Sequence, residues 1–147
     1  MLKNFAIYAT FLVALIAIDL VWLLGIAKSL YRDQMGDLMA SEPKLIAGLA
    51  FYLLYGLGVC IFVIVPALSK QSLIYALQYG ALFGLFCYMT YDLTNLAVIR
   101  NFPTQLALID IAWGSFEQLY VQVLPTGLVA VSHSAFILSL CFFALDY

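Results

Sequence analysis

Residues 5–27 read FAIYATFLVALIAIDLVWLLGIA, a run broken by a single charged side chain, Asp19. As a helix rising 1.5 Å per residue, a run of this length covers roughly 30 Å, the thickness of a bilayer's hydrocarbon core. In that medium only helices and closed barrels satisfy their own backbone polar groups. The run is too long for a secretory signal and carries an acid, so it reads as a retained spanning helix.

Working outward, comparable apolar runs follow at about 45–68, 72–98 and 104–124. A further one, at about 127–145, comes after the break Leu124-Pro125-Thr126-Gly127. Pro43, Pro103 and Pro125 stand at or just before these starts, where a missing N–H costs nothing. The expected fold is therefore all-α: one integral membrane domain over residues 1–147, a polytopic bundle of four helices plus a fifth C-terminal apolar helix. There is no internal repeat and no low-complexity tract.

Composition agrees. Of 147 residues, 66% are hydrophobic and 10% charged, with a mean hydropathy of +1.07. A soluble domain is about one-quarter charged. A net charge of −2 without a basic stripe excludes nucleic acid as a partner; the bilayer itself is the expected partner. Cys60, Cys87 and Cys141 all lie in apolar runs, without the close spacing of a disulfide framework or a zinc site. His133 has no second His or Cys beside it, so it reads as a hydrogen-bonded core residue. No metal set and no cofactor is implied.

Most of the charge falls in one connection, residues 28–44, which reads as a surface loop or interfacial helix. Calling its side of the membrane B, side B carries Lys28, Arg32, Lys44 and Arg100, and the opposite side A carries Lys3 and Lys70. Basic residues favour the cytoplasm, which places B inside and the N-terminus outside.

Three acids lie within the spans, where each charge costs several kcal/mol and needs a reason. Asp19 lies roughly 12 Å from the B end of its helix, and Asp92 and Asp110 roughly 9 Å from the B ends of theirs. Helices of alternating direction thus place three carboxylates in one layer, and the economical expectation is a shared polar site roofed by loop 28–44. Arg32 or Arg100 is expected to reach down to it, because long cationic side chains snorkel. Each acid has companions at helical spacing. Trp22 follows Asp19 by three, Tyr88 and Asn95 flank Asp92 by four and three, and Trp113 follows Asp110 by three. The expected binding set is Asp19, Asp92, Asn95, Asp110, Tyr88, Trp22 and Trp113, with Tyr52 and Tyr55 at its rim. Gly80 and Gly84 form a small-xxx-small ridge suited to close helix approach.

Plainer readings stand beside these. Asp, Asn and Tyr networks also glue helices together, and Trp22 and Tyr31 suit an aromatic belt. Three functions are open: a small transporter or binding protein for a cation or amphipathic molecule, a lipid-modifying enzyme, and an accessory subunit. Clustered carboxylates in a low dielectric repel one another when ionised, which suits proton coupling. Against an enzyme stands the absence of a Gly-x-Ser-x-Gly elbow, a His-Glu-x-x-His pair and a phosphate loop. Four or five helices make a narrow pathway, so transport calls for a homo-oligomer.

Three stretches, Ile18-Asp19-Leu20-Val21-Trp22-Leu23 with Tyr31-Arg32, Tyr91-Asp92-Leu93-Thr94-Asn95-Leu96-Ala97, and Asp110-Ile111-Ala112-Trp113-Gly114, resemble the small bacterial membrane family known as domain of unknown function 2177. The resemblance covers about residues 1–116 and implies a four-helix protein of the bacterial inner membrane without an assigned activity. Past Phe116, Glu117, Gln118 and Gln122 stand where the family's fourth helix finishes in small and apolar residues. Codons for Glu117 through Val131 can be chosen so that a second frame reads a family-like ending. A stop in that frame of the coding DNA removes the idea.

Overall fold

The computed structural model describes residues 2–123. Helix α1 spans Leu2–Val21 and runs on into a π-helical turn, Trp22–Ile26. A short helix, α2, spans Lys28–Met35 and is followed by a 3-10 turn, Gly36–Leu38. Helix α3 spans Leu45–Val59 and continues through a second π-helical turn, Cys60–Ile64, into α4, Val65–Ser69. Helices α5, Leu73–Val98, and α6, Thr104–Val121, follow. The described residues form no strand. The apolar segment expected at 127–145, with His133, lies outside the described residues.

Local chemistry sets these bounds. The second π-helical turn sits directly ahead of Pro66, whose ring cannot accommodate the carbonyl four residues back, so the helix widens there and continues. Ser72 caps α5 by accepting from the Tyr75 amide at 3.1 Å. Between α5 and α6 the chain turns through Asn101 at a φ of 61°, a left-handed conformation that Asn tolerates.

Three stretches are long and apolar enough to cross a membrane: Phe5–Ile26, Leu45–Ser69 and Leu73–Val98. Helix α6 is 18 residues long but buries Asp110, Glu117 and Gln118 inward, and these lower its average below that of the other three. Apolar side chains point outward along the whole bundle, among them Val13, Ile46, Leu54, Phe62, Ile74 and Leu108. Water would penalise such a surface severely; hydrocarbon accepts it.

An apolar core of Ile7, Phe11, Ala14, Leu15, Val59, Val63, Ile64 and Val121 lies towards side A. Polar side chains are buried along α6 from Asp110 through Glu117 and Gln118 to Gln122, and Asp19 and Asp92 are buried on α1 and α5. The tightest seam joins α5 to α6. A Cβ on Gly84 would collide with the Gly114 carbonyl, and one on Gly114 with the Tyr88 ring. The ridge expected at Gly80 and Gly84 therefore brings backbone against backbone, and it fixes how Asp92 and Asp110 stand to one another.

Candidate functional site: a buried carboxylate layer

Each acid reaches the interior from its own helix. Asp19, on the last turn of α1, is buried, as are Asp92 on α5 and Asp110 on α6. Asp110 lies near Asp19, and Asp92 near Asp110. Glu117, seven residues beyond Asp110, is buried too and lies near Asp19.

Their partners differ sharply. The Tyr52 hydroxyl of α3 donates to Asp19 Oδ2, and the Tyr31 hydroxyl of α2 donates to Asp110 Oδ1. The Tyr88 hydroxyl donates to Glu117 Oε2 at 3.3 Å. Asp92 stands apart: its side chain is 0% exposed, and neither carboxylate oxygen receives a hydrogen bond from the described residues. Burial, and then the Asp110 carboxylate beside it, hold the Tyr31 phenol above its ordinary range, so Tyr31 remains a donor.

Two indoles close the layer. Trp22 and Trp113 stack with ring centroids 4.2 Å apart and planes 7° from parallel. The π-helical turn positions Trp22, and its place three residues after Asp110 brings Trp113 to the same level. The Trp113 N–H lies beside Asp19, and that of Trp22 beside the Tyr31 hydroxyl, yet neither completes a hydrogen bond. Trp22 is 9% exposed, so its idle donor faces the interior.

Of the residues singled out from the sequence, Asp19, Asp92, Asp110, Trp22 and Trp113 come together. Tyr88 joins them turned towards Glu117. Asn95 does not. It is half-buried beside the Tyr91 hydroxyl and makes no hydrogen bond to the carboxylates. The basic partner expected from side B is also absent among the described residues. Arg32 and Arg100 are exposed, and among the described residues no Lys or Arg pairs with the four carboxylates. A guanidinium left in water keeps the hydration that burial would strip from it. Sequence reasoning placed Tyr31 in an aromatic belt and missed its bond to Asp110. No spacing rule links residues 79 apart, although Tyr31-Arg32 is part of the resembling stretches. The described residues hold no group of three or more His, Cys, Asp or Glu arranged to bind a metal ion.

A family model described as a predicted membrane protein, DUF2177, matches residues 4–126. The match runs past Phe116 and takes in Glu117, Gln118 and Gln122. No curated protein and no solved structure matches the chain.

Proposed function

The chain belongs to the DUF2177 family of predicted membrane proteins, and from that premise we propose that it binds a cation in the carboxylate layer as a multi-pass protein of the bacterial inner membrane. One observation carries this reading. Asp92 is fully buried, and among the described residues neither of its oxygens has a partner and no Lys or Arg pairs with any of the four acids. A carboxylate in low dielectric calls for a positive partner, and the described residues supply none. A monovalent ion or a small organic ammonium fits better than a chelated metal, since the described residues hold no preformed multidentate set. The aromatic walls favour the ammonium, through the negative faces of their rings.

The test is calorimetric titration of the purified protein in detergent with sodium, potassium and ethylammonium chlorides at constant ionic strength. Saturable binding of at least one, lost in Asp92→Asn with the fold intact, is expected. No saturable binding in the wild-type protein defeats the reading. Asp19 and Asp110 also support a structural role, because their tyrosine bonds tie α1 to α3 and α2 to α6. Asp92 ties nothing.

A further inference from the structure

Helix α2 is attached to the bundle in an unusual way. None of its residues is fully buried, and Tyr31 reaches from it to a buried carboxylate of α6. Both ends carry joints. On the N-terminal side lie the π-helical turn and Gly25, where an added Cβ would meet nothing within 4 Å. On the C-terminal side Gly36 adopts a φ of 48°, a left-handed conformation open to glycine, and irregular chain follows Leu38 as far as Lys44. The segment is thus bounded by a π-helical turn and buried Ala27 on one side and by irregular chain on the other, with one side-chain hydrogen bond from its middle into the bundle.

The latch lies at the site. Tyr31 covers Asp110, its hydroxyl lies beside the idle N–H of Trp22, and Trp22 stacks on the Trp113 that flanks Asp19. The next residue, Arg32, is exposed on the outer surface. Moving Tyr31 away uncovers an acceptor on Asp110 and a donor on Trp22 together, on the side of the layer that faces loop 28–44.

We infer that α2 is a hinged cover over the carboxylate layer, and that a cation arriving from the water on side B enters by displacing the Tyr31 hydroxyl from Asp110. The identity of the entrant rests on the cation reading above; the cover does not. Losing the latch frees the cover by the worth of one hydrogen bond to a charged group, about 1.5 kcal/mol, or about tenfold in the open population.

The experiment labels carboxylates of the full chain in detergent with a water-soluble carbodiimide and glycine methyl ester, reading each site by peptide mass spectrometry. No added cation is needed, so its outcome is separate from that of the titration. Tyr31→Phe is expected to raise the labelling rate of Asp110 about tenfold, whereas Tyr79→Phe, at an exposed position towards the other end of the bundle, leaves it unchanged. Equal rates in Tyr31→Phe and wild type, or an equal rise in Tyr79→Phe, overturn the cover. A second measurement needs no variant. In the wild-type protein, amide hydrogens of residues 28–35 are expected to exchange while those of α5 and α6 stay protected, and exchange only through global unfolding overturns the inference.

Discussion

Tyr31 and Asp110 are 79 residues apart in sequence, one on a short helix with no fully buried residue and the other buried on α6, and a hydrogen bond joins them. The bond places the hydroxyl of an otherwise water-facing segment against a buried acid. A phenol suits that position, since its ring tolerates the apolar surroundings while the oxygen reaches the carboxylate.

The analogous bond between Tyr52 and Asp19 joins α3 to α1. Tyr52→Phe leaves Asp19 without its donor and should destabilise the protein by about 1–2 kcal/mol, the range for hydrogen bonds between membrane helices. Equilibrium unfolding of the purified protein in mixed micelles measures it; equal stability would show that the two helices do not depend on this contact.

Asp92 predicts the opposite sign. Asp92→Asn removes a buried charge that no hydrogen bond supports, so stability should rise or hold, while Asp19→Asn should lower it. Melting temperatures of the two variants, measured side by side in one detergent, decide the matter. A marked loss of stability in Asp92→Asn means that the carboxylate has a structural partner after all.

Glycine positions separate just as clearly. Gly84→Ala drives a Cβ into the Gly114 carbonyl and should cost about 1–3 kcal/mol or prevent assembly. Gly48→Ala, with nothing within 4 Å of the new carbon, should be neutral or improve α3 by up to about 1 kcal/mol. Yield of monodisperse protein and its unfolding midpoint report on both; equal effects at the two positions contradict the α5–α6 packing.

The chain has two tryptophans, and they stack on each other. Coupled indoles should give a far-ultraviolet circular dichroism couplet that disappears in Trp22→Phe and survives in Tyr52→Phe. Loss of the stack should cost about 0.5–1.5 kcal/mol. A spectrum unchanged by Trp22→Phe places the rings apart.

Much of this architecture was legible in the residues. Long apolar runs bounded by proline announced helices, and three acids at matching depths announced a common layer, because hydrocarbon penalises any carboxylate that turns outward. What the sequence hides is which donor meets which acceptor. Tyr31 and Tyr52 come from other elements, and their approach depends on helix placement that no periodicity encodes. Asn95 shows the converse: three residues from Asp92 suggests a shared face, yet its side chain lies beside Tyr91. The π-helical turns were equally hidden, since the helical pattern continues through them and only Pro66 marks one.

The glycine seam has a mechanical consequence. Helices in backbone contact cannot slide or rotate independently, so α5 and α6 behave as one stiff plank carrying Asp92, Asp110 and Glu117. Asp19 belongs to a second plank, α1 bound to α3 through Tyr52. Each plank keeps its own tyrosine–carboxylate bond during any relative tilt, because Tyr88 and Glu117 ride on one and Tyr52 and Asp19 on the other. The indole stack and the Tyr31 bond span the joint between them. A small rocking of the planks therefore changes the spacing between Asp19 and the other acids while leaving the internal wiring of each half intact.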